Sequence, residues 1–195
     1  MEQLVVRKLK LTDDLAQVAR LIYDTDAFIF PYLYKNDVTG AVPTLIKMVE
    51  RDTIYNYRNI TVAVLGKEVV GIIIAKETPI VMNEEEMKGC IVCNEEGGKR
   101  FKKTYDEYYK LFEDEPQGVY IANVCVDKRY RGRGIAKQML AAFLKEEPQK
   151  TYHLETVKDN PSALKLYQGL GFEIVTEYLG FVDVPCYRMI RKGLI

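Results

Sequence analysis

The sequence predicts an α/β (α+β) fold in a single domain spanning residues 1–195, and three observations predict it. Seven short apolar runs read as strands, helical spacings of apolar residues lie between them, and only two strand–helix units are tight. The chain has 195 residues with 28 basic and 28 acidic side chains, so its formal net charge is zero. A core of that size buries roughly 70% of the unfolded surface, and the chain needs no disulfide staples. An apolar share of 48% beside a charged share of 29% excludes wholesale disorder. The apolar runs are far shorter than the ~20 residues that span a bilayer, so no membrane partner is expected. Charge balance argues against a surface that binds polyanions as a whole.

The first strand is read at 4–9. Thr12 is the expected N-cap of the first helix, with Asp13 and Asp14 in its first turn, where the helix dipole favours negative charge. Leu15, Val18, Ala19 and Ile22 then give that helix one apolar face. The aromatic stretch 28–34 is interrupted by Pro31 and reads as a connecting loop. Pro43 suits the first turn of a second short helix that carries Leu45, Ile46 and Val49. Runs at 60–65 and 69–75 read as strands joined by a hairpin at Gly66-Lys67-Glu68.

Residues 80–116 differ in character. Positions 84–115 carry ten acids against six bases. The stretch from Thr104 to Glu115 reads as helical, and the stretch from Glu84 to Lys99, with Gly97-Gly98 inside it, reads as an excursion from the sheet. From Gly118 the pattern tightens. A strand at 119–126 runs into a basic, glycine-rich turn, then a helix with Ile135, Met139, Leu140, Phe143 and Leu144 at helical spacing, ended by Pro148. A strand at 152–157 precedes a helix opened by Asn160-Pro161 and closed near Gly171, and strands at 173–179 and 185–190 finish the chain.

Chemistry concentrates in the turn after residue 126. Residues 127–137 hold five bases, Lys128, Arg129, Arg131, Arg133 and Lys137, against Asp127 alone. Gly132 and Gly134 permit close backbone approach, and the free N–H groups of the following helix start make an anion site suited to a phosphate or pyrophosphate. It is not a P-loop, because Gln138 follows Lys137, and Lys137 also breaks the dinucleotide fingerprint.

Two motifs together resemble the GNAT superfamily of acetyl-CoA-dependent N-acetyltransferases. Arg131, Gly134 and Ala136 match its signature [Q/R]-x-x-G-x-[G/A]. Downstream, Asn160, Ala163, Tyr167, Gly171 and Phe172 match N-x-x-A-x-x-x-Y-x-x-x-G-F. The resemblance is firm over residues 118–190 and rests on element order alone over 1–77; the stretch 80–116 departs from it, since most members join the third and fourth strands by a short turn. Such an insertion either covers the acceptor site or builds a homodimer contact.

The resemblance implies a mixed, mostly antiparallel sheet of about seven strands with helices on both faces. The fourth and fifth strands would splay to admit the pantetheine arm of acetyl-CoA. It implies a cofactor-binding set of Val124, Cys125 and Val126 on the fourth strand, Arg131, Gly132, Arg133, Gly134, Ile135 and Ala136 in the turn, and Asn160 and Tyr167 beyond. The Val124 N–H would face the thioester carbonyl, and Tyr167 would protonate the leaving thiolate. Positions 120 and 122, where some relatives keep a base, are Tyr120 and Ala122, which leaves Glu155 as the best carboxylate for the catalytic base. Its other reading is an acid hydrogen-bonded across the sheet. His153, the one histidine, shares the face of Glu155 by strand alternation.

The expected activity is acetyl transfer to a primary amine. The alternative is an acyl-CoA-binding or sensor protein without turnover, and a nucleic-acid module is the most distant reading. Cys90 and Cys93 have the spacing of a zinc knuckle but lack a second pair, so no metal is expected; Cys125 and Cys186 read as thiols. Phe28, Phe30, Tyr32 and Tyr34 lie where relatives build an acceptor wall. The opening residues lack the apolar core of a secretory signal, which makes a cytoplasmic location the expectation.

Overall fold

The computed structural model describes residues 2–25, 29–81, 83–91, 95–109, 116–180 and 183–194. Its strands are β1 (Leu4–Lys8), β2 (Ile60–Leu65), β3 (Glu68–Glu77), β4 (Val119–Val126), β5 (Tyr152–Val157), β6 (Glu173–Leu179) and β7 (Pro185–Arg191). They form one sheet in the order β1-β2-β3-β4-β5-β7-β6. Every neighbouring pair is antiparallel except β4 and β5.

The helices are α1 (Leu15–Thr25), α2 (Ile29–Tyr34), α3 (Val38–Glu50), α4 (Glu84–Cys90), α5 (Glu95–Tyr109), α6 (Ile135–Glu146) and α7 (Pro161–Gln168). One core cluster joins α1 to α5 to one sheet face through Ile22, Phe30, Leu45, Met87 and Phe101. The other joins α6 and α7 to the opposite face through Met139, Leu140, Tyr167 and Phe172. The strands' near-continuous burial in the centre follows from this sandwiching: β2 and β3 have apolar residues on both faces because both faces are covered.

Four local expectations are corrected. The cap of α1 is Asp14, whose carboxylate accepts from the Gln17 N–H at 3.0 Å, and not Thr12. Asp13 instead turns back to Arg7, taking two guanidinium hydrogen bonds at 2.8 and 2.7 Å. Ile29–Tyr34 is a helix and not a loop, because Pro31 sits in the first turn, where its missing N–H costs nothing. Phe30 and Leu33 of that turn are buried. The next helix is longer than read: it starts at Val38, capped by Asp37, and carries Pro43 in its interior.

The stretch 80–116 is also more regular than its glycines suggest. Gly97 and Gly98 lie inside α5, and α4 and α5 pack on α2 and α3. Met87, Cys90 and Phe101 enter the α1-side core, and an Arg100 guanidinium nitrogen donates to the Leu33 carbonyl at 3.1 Å. Residues 110–115 of the expected helix lie outside the described residues, as do Phe28 and Cys93. Among the described residues, no helix is long and apolar enough to cross a membrane.

Candidate active site

The site grows from one irregularity in β4. Residues 123–126 pair with 71–74 of β3, and residues 119–121 pair with 75–77, so Ala122 is an extra residue with no partner. A bulge of this kind shifts the phase of the strand beyond it. Below the bulge, the Val119 N–H donates toward β5, to the Thr151 carbonyl at 2.9 Å. Above it, the Asp127 N–H donates the other way, to Val70 of β3 at 2.9 Å. Two-residue alternation from Asp127 turns the backbones of Cys125 and Asn123 toward β3. It turns those of Val124 and Val126 away from β3, toward β5.

No strand receives them there. β4 and β5 pair only at Val119–Tyr152, Tyr120–His153 and Ile121–Leu154, and then part. The result is a wedge-shaped gap in the sheet plane, edged on one side by the backbones of Val124 and Val126. The Val126 carbonyl accepts from Arg131 Nε at 2.9 Å, so the signature arginine ties the turn to the rim of the gap. Cys125 faces elsewhere. Its thiol is buried on the α1 side, and burial pushes its pKa up to about 11, which keeps it an unreactive thiol.

Beyond Val126 the turn leads to α6. Gly132 and Gly134 take positive φ, 77° and 75°, and Gly134 occupies the N-cap position without any side-chain cap. The first intrahelical bond runs from the Gln138 N–H to the Gly134 carbonyl at 3.1 Å, leaving the N–H groups of Ile135, Ala136 and Lys137 ahead of the ladder. The dipole of a 12-residue helix adds to their positive field.

The local positive charge is smaller than the linear count. Lys128 pairs with Asp24 at 3.4 Å, and Arg129 pairs with Asp127 at 2.7 Å and also with Glu68. These pairings hold the Asp127 carboxyl down at about 2, with the Arg129 hydrogen bond as the main cause. Tyr130 donates to Glu68 at 2.6 Å, and Gln17 of α1 donates to Asp127 at 2.8 Å. The turn is thereby braced from β3 and α1, while the Arg133 and Lys137 side chains are exposed.

The two candidate proton-transfer groups approach from opposite faces. Tyr167, on α7, belongs to the core between α7 and the sheet, packed edge-on against Phe172 at 5.9 Å. Only 8% of the residue is exposed, and burial pushes its phenol up to about 12. Its hydroxyl has no hydrogen-bond partner among the described residues and is not fully enclosed. Glu155, the first β5 residue past the last β4 pair, faces the α1 side. Its Oε1 accepts from Arg188 Nη2 at 3.0 Å and Nε at 3.3 Å.

His153 is enclosed. It is 1% exposed, with its ring tilted against Tyr120 at 5.3 Å, and lowered to about 4 by burial first and Arg188 second, so it is neutral and away from solvent. Asn160 spends its side-chain oxygen on the Ala163 N–H at 3.1 Å as the cap of α7. Of the aromatic stretch, Phe30 packs on Tyr55 at 5.8 Å, Tyr34 bonds to Thr44, and Tyr32 is exposed. Four acids of the 84–115 stretch are locally answered: Glu84 and Glu85 by Lys88, Glu86 by Arg51, Glu96 by Arg100 and Lys35.

Two features of the site were not legible in the linear sequence. The bulge at Ala122 has no residue signature, and the partner of Glu155 is Arg188, 33 residues away and joined to it only by strand register. Two hollows of about 470 and 390 Å³ lie at the two ends of α6. An extended arm laid between two strands needs open strand edges, and an enclosed hollow does not supply them. Among the described residues, no cluster of three metal-ligating side chains occurs.

The fold agrees with the relatives of the chain. Residues 32–172 match the model of the acetyltransferase (GNAT) family. Spermine/spermidine N(1)-acetyltransferase of Bacillus subtilis is 33% identical over 95 residues, which are 44% of this chain and 60% of that protein. N-alpha-acetyltransferase 30 of Xenopus laevis is 35% identical over 112 residues, 53% of this chain and 36% of that one. The chain therefore spans less than two thirds of either relative. In fold, an N-acetyltransferase from Staphylococcus aureus Mu50 superposes with a TM-score of 0.66 at 21% identity, over 95% of this chain and 99% of that one.

Proposed function

The chain belongs to the GNAT acetyltransferase family, and we propose on that premise that it moves the acetyl group of acetyl-CoA directly to a primary amine. The observation that carries the reading is the gap beyond the Ile121–Leu154 pair, where the backbones of Val124 and Val126 face no strand. A pantetheine arm is an extended chain with amide groups, and it suits such an edge. The N–H groups of Ile135 to Lys137 suit a pyrophosphate.

In this reading the amine nitrogen attacks the thioester carbon, and the carbonyl oxygen becomes an oxyanion facing the Val124 N–H. One donor so placed is worth roughly 3–4 kcal/mol of transition-state stabilisation. The C–S bond then breaks, and the thiolate takes a proton from the α7 face, where Tyr167 stands. With its phenol held up to about 12, Tyr167 is a neutral donor across the physiological range. The acceptor enters from the other face and gives up its proton to Glu155, whose Oε2 takes neither of the two Arg188 bonds. The insertion packs on α2 and α3, on that same acceptor side, and we read it as part of the acceptor wall.

The test is thiol release from acetyl-CoA across a panel of spermidine, lysine and peptides with free N-termini. Turnover on one class supports the reading and names the acceptor. Tight acetyl-CoA binding with no turnover on any amine sinks it in favour of a sensor. That second reading has one observation behind it: Tyr120 and Ala122 leave β4 without a base.

A further inference from the structure

Arg188 of β7 is the register partner of Glu155 of β5, and its guanidinium reaches one oxygen of that carboxylate with two nitrogens. Both side chains are 17% exposed. A glutamate held through one carboxylate oxygen by two N–H groups keeps its place beside the strand that holds it, whereas an unheld glutamate samples several rotamers. Glu155 is also the first residue of β5 freed from β4, since the last parallel pair is Ile121–Leu154. Glu155 therefore stands at the mouth of the gap, with the Tyr178 hydroxyl beside its carboxylate. The guanidinium is itself supported from β6, lying over the Tyr178 ring at 5.5 Å. Strand register thus lines up Glu155, Arg188 and the β6 edge on the acceptor face.

We infer that Arg188 is a positioning residue for acetyl transfer: it fixes Glu155 at the fork of β4 and β5 with one oxygen turned to the acceptor amine. The inference rests on the acetyl-transfer reading above. Arg188 touches neither substrate in this account and acts only through Glu155. Tyr178 is the backstop that keeps the guanidinium flat against the sheet.

The test is a double-mutant cycle of Arg188→Met and Glu155→Gln in the full chain, read as kcat and as KM for acetyl-CoA. Removing a general base costs about 10²–10⁴-fold in rate. Glu155→Gln is expected to lower kcat by about 100-fold at the bottom of that range. Arg188→Met, which keeps the unbranched stem over Tyr178, is expected to lower kcat by about 10-fold or more, with KM for acetyl-CoA unchanged within about twofold. The double variant is expected to match Glu155→Gln alone, because a positioning residue has nothing left to position. Arg188→Lys, which keeps the charge without the two-nitrogen fork, is expected to recover part of kcat.

Losses that multiply in the double variant, or an Arg188→Met effect confined to KM for acetyl-CoA, would overturn the inference. A structural arm reads it independently of turnover. In a crystal structure of Arg188→Met, or of Arg188→Leu if the first fails to fold, Glu155 is expected to leave its place beside β7. A Glu155 that stays put in either variant overturns the inference even if transfer is confirmed. If the unaltered protein transfers acetyl to no amine, the acetyl-transfer reading fails, and the position of Glu155 in these variants still decides this one.

Discussion

Ile121 and Leu154 form the last register pair between the parallel strands β4 and β5. Everything proposed for the site follows from what lies beyond that pair. Past it, Glu155 is free on one strand. On the other, the bulge at Ala122 exchanges which residues face the opening. Had the strand run through Ala122 without a bulge, the alternation set by Val119 would place Asn123 and Cys125 at the gap. With it, Val124 and Val126 are there, and the Asn123 side chain turns to α1, donating to Thr25 at 2.6 Å.

Tyr167→Phe is predicted to lower kcat for thiol release while leaving acetyl-CoA affinity nearly unchanged, as expected of a donor used only after attack. The phenol, held near 12 in the fold, has a reference value of about 10 unfolded. Between those values the folded state binds the extra proton, so stability falls as pH rises through 10 to 12. Linkage puts that loss at about 2–3 kcal/mol. Urea unfolding of the native protein and of Tyr167→Phe at pH 8 and at pH 11 should differ by about 1.4 kcal/mol, half of that amount, with the variant losing less. Equal losses would show that the phenol does not titrate as an isolated buried group.

His153 gives the acid-side counterpart. Its imidazole is held down near 4, below the reference value of about 6.5, so the unfolded chain binds the proton first. Stability is intact above pH 6.5 and is lost as pH falls toward 4. Between pH 7.5 and 5 the loss from this one group is about 2 kcal/mol. His153→Phe, which keeps a ring against Tyr120, should lack that component in paired urea titrations. Its kcat should also keep the native pH profile between pH 6 and 8, since His153 is enclosed and serves no step; a lost inflection would contradict this placement.

Gly134→Ala tests the anion site. The residue has φ of 75°, and an added Cβ would meet only Gln138 Nε2, at 3.8 Å, so the cost is conformational and not steric. A left-handed alanine costs roughly 1–2 kcal/mol. The variant should fold with a lowered melting temperature and a raised KM for acetyl-CoA, while KM for the amine stays put. Gly118→Ala should behave differently, because its Cβ would lie 2.3 Å from the Thr151 carbonyl at the closed end of the β4–β5 junction. That substitution should compromise folding outright, as circular dichroism would report.

Much of this fold was legible from the sequence, and the reasons are local. Strands β4, β5 and β6 have the predicted bounds because apolar alternation and flanking glycine or proline mark them. The Asn160 cap and Pro161 start of α7 follow from two adjacent residues. Pro31 misled because proline breaks a helix interior but suits a first turn, and the two cases differ only in where the helix begins. The long-range part of the site was not legible in the same way. Arg131 was found through spacing, yet its bond to the Val126 carbonyl, the Glu155–Arg188 pair and the bulge at Ala122 are properties of register. Linear charge also misled: acids from Asp24 and Glu68 answer the basic turn, and Arg51 and Lys35 answer the acidic stretch.

The most direct test of the central claim is the backbone N–H of Val124. By alternation that group lies outside the β3–β4 ladder, so Val124→Pro removes it without deleting a ladder bond, while Val124→Ala trims the side chain and keeps the N–H. With both variants folded and acetyl-CoA saturating, Val124→Pro should lower kcat for thiol release by about 10²–10³-fold relative to Val124→Ala, the loss seen when one oxyanion donor is removed. Equal kcat in the two variants would contradict the account, because the gap between β4 and β5 would then not be where the acetyl group is transferred.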